Sequence, residues 1–280
     1  MVLFSRRAFL KSVAQAQRWL AAAWVGLQVT DEKSYAARQA NKRWRILGAP
    51  KGGAKAVNQN QRIKALVFDA YGTLFDVHSV VSLCEEIFPG QGQALSQMWR
   101  TKQLEYSWLR SVMGHYEDFW QVTQSALDFS CKALALSAPP VVQTRLMEAY
   151  LHLQTFPEVS EALMALSAYP KAILSNGTPN MLKAVVNNSG LGNAFNHIIS
   201  VDAVKIYKPN PRVYGLAAQT LGVDRKAIGF VSSNCWDDIG AKAFGFRTFW
   251  VNRADSPVDE LGFTPDVVVK TLRELLSALG

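Results

Sequence analysis

Ile63-Lys64-Ala65-Leu66-Val67-Phe68-Asp69-Ala70-Tyr71-Gly72-Thr73-Leu74-Phe75-Asp76 is the stretch whose reading decides the fold. Ala65 to Phe68 is a short apolar run closed by turn residues, the pattern of a strand buried on both faces, as in a parallel sheet. Asp69 then stands at the carboxyl end of that strand. Open α/β sheets bind ligands there, because the loops diverge and leave a crevice. Gly72 permits a tight turn, and the Thr73 hydroxyl can return a hydrogen bond to a carboxylate nearby. Taken alone, an Asp after a strand is a turn cap, so the weight falls on what the rest of the chain supplies.

Downstream of Pro157 the pattern alternates between helices and short apolar strands. Lys171–Ser175, His197–Ser200, Ala227–Val231, Phe246–Val251 and Val267–Val269 read as strands. Helices are expected over 158–168, 178–188, 210–221, 235–244 and 271–279, with Pro179 in the first turn of the second. Such alternation implies parallel strands joined by right-handed crossovers, hence an α/β doubly wound parallel sheet. Between the first strand and this block, residues 77–156 show helical periodicity throughout, in segments of about 78–88, 93–113, 116–137 and 141–154. Pro89-Gly90, Gly114 and Pro139-Pro140 punctuate them. The expected organisation is a catalytic core of residues 61–76 and 157–280, with a helical cap of residues 77–156 inserted after its first strand. In the second helical segment, Leu95, Met98, Trp99, Tyr106, Leu109 and Met113 share one stripe, while Arg100, Leu104 and Trp108 share the opposite one. A helix apolar on both faces is covered on both, with one side facing the crevice.

Three further strand ends carry polar groups. Ser175-Asn176-Gly177 follows Ala172-Ile173-Leu174, Lys208 lies in Tyr207-Lys208-Pro209-Asn210-Pro211, and Ser232-Ser233-Asn234-Cys235-Trp236-Asp237-Asp238 follows Val231. Singly each is an ordinary turn, a loop lysine or a helix cap. An Asp, a hydroxyl, a Lys and an acidic loop in that order resemble the four motifs of the haloacid dehalogenase superfamily. Within it, Asp69-Ala70-Tyr71-Gly72-Thr73-Leu74-Phe75-Asp76 looks like the type II L-2-haloacid dehalogenases. The superfamily's phosphatases carry a second Asp where Tyr71 stands. A phosphatase must protonate a basic leaving alkoxide and needs that acid, whereas a departing halide needs no proton. Trp99-Arg100-Thr101-Lys102-Gln103-Leu104-Glu105-Tyr106 resembles the cap segment that carries these dehalogenases' essential Arg, although Thr101 replaces a Gln common there, which leaves pocket shape open.

The resemblance covers Ile63 to Gly280 and implies roles residue by residue. Asp69 would be the nucleophile and Thr73 its orienting partner. Arg100 and Asn176 would receive the leaving halide. Tyr71, Leu104, Phe119 and Trp236 would line the pocket, and Ser175 would hold the substrate carboxylate. Lys208 would neutralise Asp69, with Tyr214, Ser232 and Asn234 in support, and Asp237 would activate the hydrolytic water. The expected activity is hydrolysis of short 2-haloalkanoic acids to 2-hydroxy acids through an aspartyl ester, with inversion at C2. The alternatives are a phosphatase of the same superfamily and a catalytically silent binding protein on this scaffold. No cofactor and no metal are expected, since a lysine ammonium would do the charge balancing that magnesium does in the phosphatases, and Ser232, Ser233 and Asn234 open the fourth motif where those enzymes need acids.

Composition narrows the partners. The 280 residues carry a net charge of +8, but residues 1–56 hold eleven Lys and Arg against two acids, leaving 19 basic and 20 acidic residues in the body. A nucleic-acid-binding body loses its main support. Cys84, Cys131 and Cys235 are too few and too far apart for a zinc site. Ser5-Arg6-Arg7-Ala8-Phe9-Leu10-Lys11 resembles the twin-arginine export signal, with Ala54-Lys55-Ala56 in the form of a cleavage site, so residues 1–56 read as a leader and the mature protein as periplasmic. Trp19 to Val29 is too short to span a bilayer, so no stable membrane insertion is expected. The remaining expected partners are a small 2-haloacid and a second copy of the chain in a homodimer.

Overall fold

The computed structural model describes residues 62–280. The twin-arginine stretch, the apolar region Trp19 to Val29 and the Ala54-Lys55-Ala56 site lie outside the described residues. Six strands, β1 (Ala65–Phe68), β2 (Lys171–Ser175), β3 (His197–Ser200), β4 (Ile228–Ser232), β5 (Arg247–Val251) and β6 (Val267–Val269), form one sheet in the order β3-β2-β1-β4-β5-β6. Every neighbouring pair is parallel. β1 sits in the middle, with Leu66 opposite both Lys171 and Gly229. Strand order reverses beside it, which opens the crevice of a doubly wound sheet at its carboxyl end.

Burial explains the apolar runs. Ala65, Leu66, Val67 and Phe68 have no exposed surface, so truncating Leu66 or Phe68 costs on the order of 3 kcal/mol or more. Gly229 is a packing requirement of the same layer, because a Cβ there would lie 2.8 Å from Leu66 Cδ2.

Four helices stand in the block of residues 77–156: α1 (Val81–Ile87), α2 (Gly92–Met113), α3 (Phe119–Ala133) and α4 (Pro140–Ala149). The others are α5 (Val159–Ala165), α6 (Pro179–Asn188), α7 (Pro211–Leu221), α8 (Cys235–Phe244) and α9 (Leu275–Leu279). Local chemistry sets their ends. Asp118 caps α3 by accepting from Gln121 N at 2.9 Å, Thr178 caps α6, and Gly114 closes α2 in the left-handed region at φ 69°.

Several expected boundaries move for physical reasons. β4 begins at Ile228, not Ala227, because the Asp224 carboxylate caps a 3₁₀ turn over Arg225–Ala227. The segment expected at 78–88 opens with a 3₁₀ turn, Val77–Val80, capped by Asp76. α4 stops at Ala149 because the residues after it cross back to the sheet. There Asp76 N donates to Gln154 O at 2.8 Å and Phe156 N to Leu74 O at 3.2 Å, so the outgoing and returning segments pair antiparallel. The stripe expected on α2 is also corrected. Its buried line is Leu95, Trp99, Gln103 and Ser107, every fourth residue, whereas Leu109 and Met113 are 46% and 60% exposed. A four-residue step drifts by about 40° on a helix of 3.6 residues per turn, so the contact face has rotated away from Leu109 before the final turn.

Candidate active site

The turn after β1 presents Asp69 to groups from its own turn and from two other segments. Thr73 Oγ1 donates to Asp69 Oδ2 at 2.9 Å, and so does Asn234 Nδ2 at 2.9 Å. Lys208 Nζ lies 3.0 Å from Oδ1. Thr73 Oγ1 in turn accepts from Ser233 N at 2.9 Å, which ties the first turn to the loop after β4. Hydrogen bonds of this kind hold a carboxyl group in one rotamer. Asp69 is only 5% exposed, so little water competes for the oxygens.

Lys208 also reaches Asp237 Oδ2 at 2.7 Å, so one ammonium serves two carboxylates. Burial draws the ammonium's pKa down, and Asp237 and Asp69 outweigh it, leaving Lys208 above its ordinary value. Burial likewise pushes the Asp237 carboxyl up, to about 6, with Lys208 pulling down and Asp69 pushing further up. Tyr214 OH donates to Asp237 Oδ1 at 2.7 Å, and Ser232 Oγ lies 3.4 Å from Oδ2. α8 begins at Cys235, so Asp237 is in its first turn. Asn176 Oδ1 accepts from Lys208 N at 3.1 Å, and Ser175 Oγ accepts from Gly177 N at 3.2 Å. Asp69, Thr73, Asn176, Lys208, Tyr214, Ser232, Asn234 and Asp237 are therefore brought together at one end of the sheet.

The inserted helices supply the other wall. Arg100 Nη1 donates to Gln103 Oε1 at 2.7 Å and Nη2 lies 3.4 Å from Tyr71 O. Gln103 is itself held by Thr123 Oγ1 at 2.7 Å. Burial draws the Arg100 guanidinium below its ordinary pKa, yet a guanidinium stays charged in proteins. Tyr71 is buried against Phe119, ring centroids 5.8 Å apart, and burial raises its hydroxyl out of the titrating range. That hydroxyl has no hydrogen-bond partner among the described residues. Trp236 meets Trp108 of α2 edge to face at 5.3 Å. Leu104, half-buried, lies between Arg100 and Trp108 along that face. A cavity of about 720 Å³ opens beside Lys171 at the other end of β2, and none of these residues lines it.

A carboxylate held by three donors in a nearly dry crevice, with a buried cation beside it and a second carboxylate on that same cation, is equipped for attack on an electrophilic carbon followed by hydrolysis. Comparison with known proteins agrees. Residues 63–245 match the model of the haloacid dehalogenase-like hydrolases. The chain belongs to that family. It is 51% identical over 216 residues to the (S)-2-haloacid dehalogenase of Pseudomonas sp. (strain YL), covering 76% of this chain and 93% of that protein. Identity to haloacetate dehalogenase H-2 of Moraxella sp. (strain B) is 48% over 222 residues, 79% and 99% of the two chains. The L-2-haloacid dehalogenase of Xanthobacter autotrophicus with chloropropionic acid covalently bound superimposes with a TM-score of 0.74 at 41% identity, covering 78% of this chain and 98% of that one.

Two features of this haloacid dehalogenase-like site escape strand-end reasoning. Gln103 anchors Arg100 from one turn further along α2, a spacing that marks neighbours on a helix without saying that they bond. Arg253, just past β5, donates to Ser233 Oγ at 2.7 Å and to Thr73 O at 3.0 Å. Its position at a strand end was the available signal, but its partners are more than a hundred residues away in sequence or on another loop.

Proposed function

We propose that this protein hydrolyses short 2-haloalkanoic acids to 2-hydroxy acids through an ester on Asp69, with inversion at C2. The observation that carries the reading is the Asp69 carboxylate, nearly buried yet bonded to Lys208, Thr73 and Asn234. In the first step an Asp69 oxygen attacks C2 opposite the carbon–halogen bond, and the halide departs with the bonding pair toward Arg100 and Asn176. Ser175 holds the substrate carboxylate, while Tyr71, Leu104, Phe119 and Trp236 enclose its carbon chain. In the second step Asp237 takes a proton from water, whose oxygen adds to the carbonyl carbon of the ester. The tetrahedral species collapses, the departing alkoxide takes the proton from Asp237, and the hydroxy acid is freed with Asp69 and Asp237 restored. The product hydroxyl oxygen thus originates from the enzyme.

A single turnover in ¹⁸O-water, with enzyme in excess over 2-chloropropionate, places the label in Asp69 and leaves the hydroxy acid unlabelled. Label in the product of that first turnover would recast Asp69 as a general base.

We also propose export to the periplasm by the twin-arginine route, on the strength of the match at Ser5 to Lys11. Among the described residues no helix is long and apolar enough to cross a membrane. Fractionated cells should hold the mature protein in the periplasm, and Arg6→Lys with Arg7→Lys should retain it in the cytoplasm. Equal periplasmic yield from both chains would overturn export by that route.

A further inference from the structure

Arg253 directs its guanidinium at segments that meet at the nucleophile. Its guanidinium carries five N–H groups in a planar fork. Nη1 takes Ser233 Oγ at 2.7 Å and lies 3.4 Å from Gly72 O. Nη2 takes Thr73 O at 3.0 Å and Glu158 Oε1 at 2.7 Å, and Nε takes the same Glu158 oxygen at 2.9 Å. The charged plane also lies 3.9 Å from the centre of the Phe156 ring. Phe156 and Glu158 belong to the returning segment, whose Phe156 N is bonded to Leu74 O. Gly72 and Thr73 are the turn that follows Asp69, and Ser233 N is what Thr73 Oγ1 accepts from.

One side chain anchored at the end of β5 therefore joins three things: the crossing that leads back from the inserted helices, the turn after the nucleophile, and the loop after β4. None of its contacts is with Asp69. We infer that Arg253 is a positioning residue, holding the Thr73 backbone so that the Thr73 hydroxyl stays aligned between Ser233 N and Asp69 Oδ2, and so that movement of the returning segment is felt at the nucleophile. The Thr73 carbonyl and hydroxyl belong to one residue and the hydroxyl reaches Asp69 Oδ2 at 2.9 Å, so displacing the carbonyl displaces the hydroxyl with it. Lysine cannot replace this function, since an ammonium has three donors and no plane with which to span Glu158, Ser233 and two carbonyls at once.

The inference rests on the proposed ester chemistry. Its test is the rate constant of chloride release from 2-chloropropionate in a single turnover at saturating enzyme, measured for wild type, Arg253→Gln, Arg253→Lys and Ser233→Ala. A misplacement of the attacking group by a fraction of an ångström to one ångström costs up to about 100-fold in rate, and Arg253→Gln and Arg253→Lys are both expected to lose at least about tenfold, with KM nearly unchanged. Ser233→Ala keeps the Ser233 N–H and buries no unpaired charge, so it folds even where Arg253→Gln does not, and it loses severalfold. A purely structural role lowers the fraction of active protein and leaves the saturating rate constant alone. An unchanged rate constant in Ser233→Ala and in whichever Arg253 variants fold would overturn the inference while wild-type chloride release stands. No chloride from the wild type would overturn the reaction and the inference together.

Discussion

Asp69 accepts hydrogen bonds from three segments of the chain, whereas Arg100, the charged group of the opposite wall, makes one short bond to its own helix and one long one to Tyr71 O. The sheet side of the site is wired and the helical side is packed. Around Asp69 the next neighbours are themselves committed: Thr73 to Ser233, Lys208 to Asp237, Asp237 to Tyr214. Around Arg100 a single chain of bonds runs through Gln103 to Thr123, and the rest of that wall is rings, Tyr71 against Phe119 and Trp108 against Trp236. Attack on carbon tolerates one line of approach, so its carboxylate is over-determined. Leaving halides differ in size, and in the proposed reaction Arg100, with uncommitted donors, would meet them at different depths. Fixed geometry serves the bond that forms, and adaptable geometry serves the one that breaks.

The comparison breaks most visibly at Lys208. Lys208→Ala leaves Asp69 and Asp237 without their shared cation in a dry site, and halide release should fall by about 10³-fold or more, with no recovery on adding magnesium. An active, metal-rescued variant would mean that the ammonium is replaceable and the wiring incidental. On the packed wall, Arg100→Lys keeps the charge but gives up the planar fork, and the expected loss is about 10²-fold in kcat. Steady-state halide release measures it, and turnover near that of wild type would leave Arg100 as a structural group of the inserted helices. The smallest effect sharpens the comparison within the wired side. Asp237 must be ionised to take a proton from water, and its carboxyl sits at about 6, so kcat should fall as pH drops through that value. Tyr214→Phe removes a donor to the ionised form and should move the acid limb to higher pH. The stability contribution runs the other way: a carboxyl raised above its unfolded value stabilises the fold below the unfolded pKa, and that stabilisation is lost as pH rises through about 6. An acid limb unmoved by Tyr214→Phe would separate Asp237 from the pH dependence.

What could be read in the sequence was whatever the chain punctuates locally. Strand runs end in turns, so Asp69, Ser175 and Ser232 announce themselves as strand-end residues, and parallel order places them side by side. Lys208 needed the family resemblance to be aimed at Asp69, because nothing in Tyr207-Lys208-Pro209 says which carboxylates its ammonium will find. Periodicity marked Trp99 as buried and mistook Leu109 and Met113, because the buried line steps by four residues and turns away from the stripe to which they belong. Caps decided the rest: Asp224 and Asp76 open 3₁₀ turns where a continuous strand or helix was expected. Arg253 was invisible for a different reason. Its value lies in five simultaneous partners, and no window of sequence contains them.

The pairing of the two crossings has a consequence for how such a protein can be rebuilt. Asp76 and Gln154 are one hydrogen bond apart, so from the sheet's side the four inserted helices occupy the place of a hairpin loop. Excising residues 77–153 and closing the gap with a turn of about two residues would demand almost no new chain path. The sheet's strand order and the Asp69–Lys208–Asp237 group would remain, without the wall that encloses the substrate in the proposed reaction. A lid attached this way can be lengthened or exchanged from two adjacent chain ends, and with it would go the Arg100 wall, while Asp69, Lys208 and Asp237 belong to the sheet side.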